Sequence, residues 1–198
     1  MMAGWEFEEL PASLVEQELT QRDQFNNDDV GLAEALVREV IQNSCDAARN
    51  GQAVKVRFDL RSLVDEATNE LRKLFSGLRP HLSICGIDMT PLDQPVAQVL
   101  VIEDFSTLGL TGRYDKLDDD NFRNFWRRHG RSGKGGKSGG RWGLGKLVFS
   151  SSSLSRAFFG YTVRDSDKNA LLMGQGVLSI HEIDGRRFPA HGFWFVGR

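Results

Sequence analysis

The sequence predicts an α+β domain, and three observations carry that prediction. Residues 36–48 repeat apolar side chains at helical spacing, with Leu36, Val37, Val40, Ile41, Ala47 and Ala48 on one arc. Residues 53–60 change the period to two, Val54, Val56, Phe58 and Leu60 alternating with polar neighbours as in a half-buried strand. Late in the chain, residues 156–164, 169–183 and 191–196 alternate again, the first two joined by the turn-like Asp165-Ser-Asp-Lys-Asn169, which reads as antiparallel strands.

At 198 residues and 40% apolar content the chain can build a full core. It contains no run of 18 apolar residues and no charged-then-apolar N-terminus, so a soluble, cytoplasmic protein with no membrane partner is expected. Cys45 and Cys85 are too few for a disulfide framework and lack CxxC spacing; both read as reduced, Cys45 as a small packing residue. His81, His129, His181 and His191 show no ligand spacing, so no zinc is expected. The net charge of −2 argues against a surface coated for nucleic acid, yet the charge is uneven. Asp115, Asp118, Asp119 and Asp120 cluster, after which residues 121–164 hold ten Lys and Arg and no acid.

The first helix carries the chemistry. Glu39, Asn43 and Asp46 stand four and then three positions apart, within roughly a 60° arc beside the apolar one. One such residue alone is ordinary solvated surface, but acid, amide, acid at the edge of a core suits a magnesium-nucleotide site. The amide oxygen of Asn43 can take one position on a hard cation that keeps waters and phosphate oxygens, and Glu39, one turn earlier, can orient or deprotonate an attacking water. Chance gives the pattern Glu-x-x-x-Asn-x-x-Asp-Ala about 10⁻³ times in a chain of this length.

The wording Arg38-Glu-Val-Ile-Gln-Asn-Ser-Cys-Asp-Ala47 resembles the first nucleotide-binding box of the GHKL ATPases, the superfamily of gyrase B, Hsp90, histidine kinases and MutL, in its Hsp90 version. The resemblance implies a two-layer α/β sandwich of the Bergerat type, a mixed, mostly antiparallel sheet with helices on one face. It implies ATP and Mg2+ as cofactors, slow hydrolysis, lid closure, homodimerisation on ATP binding, and a downstream domain or partner protein, the chain being the N-terminal part of a longer one. Residues 1–27 are then an N-terminal segment and 28–198 the ATP-binding domain, with an insertion at about 61–97 and a lid at about 105–142.

The remaining elements follow in order. The lead-in is polar, with Trp5, Phe7 and Leu10 as anchors and a helix over 13–24; it either packs on its own domain or crosses to a second subunit. Asn27-Asp-Asp29 offers N-caps for the first helix and Asn50-Gly51 its stop. Residues 62–77 predict a helix, and 78–98, holding Pro80, Pro91 and Pro95, an irregular connection. Val99, Leu100, Val101 and Ile102 form a continuous apolar run, read as a central buried strand ending in Glu103-Asp104. Asp104 with Phe-Ser-Thr-Leu-Gly-Leu-Thr-Gly112 resembles the second box, whose Asp accepts a hydrogen bond from the adenine amino group; Ser106 stands where a glycine is expected and Gly109 comes one residue late, so Gly109 and Leu110 become nucleotide-binding candidates. Residues 121–128 predict a short helix carrying Phe122, Phe125 and Trp126.

The Gly-rich stretch that follows contains Gly140-x-x-Gly143-x-Gly145, which resembles the third box. Gly143, Leu144, Gly145 and Lys146 then lie under the phosphates, where free backbone N–H groups at a helix start bind anions, with Lys134, Lys137 and Arg141 as further charge contacts. Gly140 and Gly145-Lys146 also have P-loop spacing, but Leu147 replaces the required Ser or Thr and no apolar strand precedes them. Two other readings stay open: a nucleic-acid-binding module using the basic residues 130–146, and a nucleotide-sensing scaffold that binds ATP without turning it over. A histidine kinase is weaker, since no phospho-accepting His segment precedes the first box.

Overall fold

The computed structural model describes residues 3–11, 13, 31–112, 121–126 and 147–196. Its architecture is α+β. The larger sheet has four strands in the order β1-β8-β5-β4: β1 is Ala3–Glu6, β4 Ala157–Val163, β5 Ala170–Val177 and β8 His191–Val196. β4 and β8 are rich in aromatic and β-branched residues, which suit a pleated surface packed on both sides. The short strands β6, His181–Ile183, and β7, Arg186–Phe188, pair as a hairpin between β5 and β8.

A second sheet is the long hairpin of β2, Lys55–Leu63, and β3, Ala97–Phe105. Every strand pair among the described residues is antiparallel. The apolar run Val99–Ile102 is therefore not the centre of a sheet: among the described residues β3 pairs with β2 alone, and Leu100 is 45% exposed. Register places Val56, Phe58 and Leu60 opposite Asp104, Ile102 and Leu100, so one face of the hairpin is apolar, as the alternation in β2 requires.

The four-stranded sheet is covered on both faces, which differs from a two-layer sandwich with helices on one. Ala157 and Phe159 point to a cluster with Phe75, Leu78 and Leu82, joined by Trp5 and Phe7. Phe158 and Met173 point the other way, to Phe122 and Trp126 of α5, Asn121–Trp126. Trp126 stacks on Phe158 and fills the place a side chain on Gly160 would take.

The stretch 61–97 supplies the first of these clusters, and so belongs to the core. Three helices form it: α2, Asp65–Phe75; α3, Arg79–Ile84; and α4, Thr90–Asp93. Pro80 and Pro91, read from sequence as marks of an irregular connection, sit in the first turns of α3 and α4, where no intrahelical N–H is required of them. β2 also runs to Leu63, so the predicted helix from 62 starts three residues later.

The lead-in packs on its own domain. β1 pairs with β8, the Trp5 indole N–H donates to the Leu74 carbonyl at 2.7 Å, and the Leu10 N–H donates to the Arg187 carbonyl. Residues 14–24 of the helix predicted over 13–24 and the caps at 27–29 lie outside the described residues. No helix among the described residues is long and apolar enough to cross a membrane.

Candidate functional site

The first motif forms helix α1, Leu32–Asp46, with Gly31 at its N-cap. Leu36, Val40 and Ser44, spaced by four, are its buried face. Leu36 and Val40 pack on Val148 of α6, Leu147–Ser151, and on Val56 and Ile102 of the hairpin, each apolar side chain contributing about 1.5–3 kcal/mol over leaving it in water. This core face is narrower than the apolar arc in the sequence: Val37 and Ile41 are 40% and 46% exposed. Cys45 is exposed, not a packing residue.

α1 stops at Asp46, short of Asn50-Gly51, because the next residues pair with a distant segment. Ala48 bridges Thr107, the Arg49 N–H donates to the Ser106 carbonyl, and the Leu108 N–H donates to the Ala47 carbonyl, both at 2.9 Å. That pairing draws the end of β3 against the last turn of α1. The buried Ser44 hydroxyl donates to Asp104 Oδ2 at 3.1 Å and the Thr107 hydroxyl to Asp104 Oδ1 at 3.1 Å. A carboxylate has about four acceptor positions, so two bonds fix its plane and leave capacity for a further donor.

The polar strip keeps its predicted geometry. The Asn43 amide donates to Glu39 Oε1 at 3.0 Å, and Gln42 donates to Asp46 Oδ1 at 3.1 Å. Asn43 and Asp46 are exposed and Glu39 half-buried. Because a carboxylate only accepts, Asn43 must turn its NH2 toward Glu39, which leaves its carbonyl oxygen directed away with no hydrogen bond among the described residues. That oxygen suits a hard cation that keeps most of its waters. Among the described residues no group of three His, Cys, Asp or Glu side chains could hold a metal ion.

The other candidates divide. Gly109 and Leu110 turn toward β4, not toward the strip. Gly109 has φ +71° and its Cα faces the Val163 carbonyl; the Leu110 N–H donates to the Thr162 hydroxyl at 2.9 Å, and its side chain joins the Phe122–Trp126 cluster. With Arg164 donating to the Gly112 carbonyl and the Asp165 N–H to the Leu108 carbonyl, residues 106–112 are tied to the body of the domain, so the stretch read as the start of a lid at 105 is anchored through 112. Lys134, Lys137, Arg141, Gly143, Leu144, Gly145 and Lys146 lie outside the described residues. Ser106 adopts φ +64°, the left-handed conformation that favours the glycine expected there.

No family model, curated protein or solved structure matches the chain. The case for any chemistry therefore stands on these side chains.

Sequence reasoning missed Ser44 and Thr107. A hydroxyl recurring four residues after Leu36 and Val40 on a buried helix face must find a partner, which was a usable signal for Ser44. For Thr107 no local signal exists, since its partner is fixed by the loop's docking. Arg49 was missed too: its Nε donates to the Thr107 carbonyl at 2.9 Å and its Nη2 lies 3.0 Å from Asp165 Oδ1. The hydrogen bond from Lys168, aided by the Arg49 and Lys168 charges, holds the Asp165 carboxyl below the usual carboxylate range against an opposing desolvation.

Proposed function

We propose that the α1 edge and the end of β3 bind a magnesium-complexed adenine nucleotide, which the protein hydrolyses slowly. One observation carries the reading: two motifs about 60 residues apart in sequence meet, Ser44 donating to Asp104 at 3.1 Å from the same helix that carries the Glu39–Asn43 pair. Nothing local demands that an acid after a strand should face the last turn of that helix.

Each residue has a role its chemistry supports. Asp104, oriented by Ser44 and Thr107, accepts a hydrogen bond from an exocyclic amino group. Asn43 offers its carboxamide oxygen to magnesium, whose charge offsets that of the phosphates. Glu39 holds Asn43 through one oxygen and has the other available to take a proton from water. Asp46, exposed at the helix end, orders water beside them. Lid closure, dimerisation and action through a further domain or partner extend the same reading.

Phosphate-release kinetics with Glu39→Ala test it. The parent chain should turn ATP over slowly, and the variant should retain ATP while losing release. A variant that releases phosphate at the parent's rate would remove Glu39 from the chemistry, and ATP binding without any turnover in the parent would favour the sensing scaffold.

A further inference from the structure

Arg49 reaches the same carboxylate at one remove. Its planar guanidinium sends Nε to the Thr107 carbonyl and Nη2 to Asp165 in the β4–β5 turn, while the Thr107 hydroxyl donates to Asp104. Asp165 is itself placed by its N–H on the Leu108 carbonyl. The chain Asp165, Arg49, Thr107, Asp104 thus runs from the larger sheet's turn to the end of the hairpin without a gap.

The segment it holds is under local strain. Ser106, the residue before Thr107, sits at φ +64°, a conformation an L-residue leaves readily when nothing restrains the next peptide plane. The Ser106 carbonyl is held by the Arg49 backbone N–H, and the Thr107–Leu108 peptide plane is gripped from both sides, its N–H on the Ala47 carbonyl and its carbonyl on the Arg49 guanidinium. Lysine, with one compact ammonium, cannot serve two acceptors in divergent directions as this fork does.

We infer that Arg49, braced by Asp165, is a positioning residue that sets the preference of the site for adenine over guanine by orienting Thr107 and hence Asp104; this rests on reading Asp104 as the acceptor for the base. Adenine presents an amino donor where guanine presents a carbonyl oxygen, so only adenine gains from a correctly aimed carboxylate. Loosening that aim costs ATP affinity and leaves GTP affinity nearly unchanged.

The test is calorimetric titration of ATP and of GTP, each with magnesium, into the parent, Arg49→Ala, Arg49→Lys, Thr107→Val and the Arg49→Ala/Thr107→Val double variant. The parent should prefer ATP, and each single substitution should cut that preference about fivefold, the size of one hydrogen bond partly open to water. Because the residues act in series, the double variant should lose no more than Thr107→Val alone. The ratio of two affinities does not depend on the fraction of folded protein, so general destabilisation cannot mimic the result. A parent that prefers ATP while Arg49→Ala keeps the full preference, or losses that multiply in the double variant, would overturn the relay and leave the nucleotide reading intact. A parent that binds neither nucleotide would overturn that reading, and the relay with it.

Discussion

Replacing Gly109 by alanine probes the anchoring of the segment that follows Asp104. Two costs add. Gly109 sits at φ +71°, where an L-residue loses about 1–2 kcal/mol. A Cβ would also lie 2.5 Å from the Val163 carbonyl oxygen and 2.9 Å from the Thr162 hydroxyl, too close for either to remain, and overpacking of this kind costs about 1–3 kcal/mol. The sum is about 2–5 kcal/mol. Gly185 supplies the control: it has φ +75° and nothing within 4 Å of an added Cβ, so its alanine variant carries the first cost alone. Thermal denaturation separates the two, since 1 kcal/mol is worth roughly 2–4 °C in a domain of this size. Gly109→Ala should lower Tm by roughly 4–20 °C and Gly185→Ala by roughly 2–8 °C. Equal losses at the two positions would refute the docking of residues 106–112 on β4.

Other expectations concern the strained loop, the insertion and the two histidines. Ser106→Gly should raise stability by about 1 kcal/mol in urea denaturation by removing the left-handed penalty at φ +64°; an unchanged midpoint would mean the conformation costs nothing. Leu78, fully buried between α2 and α3, should cost about 3–5 kcal/mol on truncation to alanine, whereas a loss below about 1 kcal/mol would return residues 61–97 to the status of an appendage. His81 Nδ1 lies 2.7 Å from His181 Nε2 and its ring stacks on Phe7; burial, and then the charge of His181, hold its pKa down to about 4. A histidine lowered on folding binds its proton more readily when unfolded, so its contribution to stability is full above pH 6.5 and declines as pH falls toward 4. His81→Phe should flatten the stability profile over that window, and a profile as steep as the parent's would assign the acid sensitivity elsewhere.

Local periodicity made several elements legible. β8 spans the predicted residues, β4 and β5 fall within the predicted alternating runs, and α1 covers most of its motif. Sequence spacing also put Glu39 and Asn43 within hydrogen-bond reach, because an i,i+4 pair depends only on helix geometry. What pairing decides was hidden. β1 has four residues and forms because β8 offers an edge; α1 ends early because Ala48 bridges Thr107; and β3, apolar throughout its middle, belongs to a hairpin exposed on part of its apolar face. Prolines misled where they open helices, at Pro80 and Pro91. His81 and His181 stand 100 residues apart, and only the docking of α3 on β6 brings their rings together.

The measurement that bears most directly on the proposed chemistry is the heat of ATP binding with magnesium and with chelator, in the parent and in Asn43→Ala. A single saturable site in the parent that needs magnesium, and that vanishes when the carboxamide is removed, is the predicted result. Identical affinity in the two proteins, or binding indifferent to the metal, would contradict the assignment of the α1 edge as a nucleotide site.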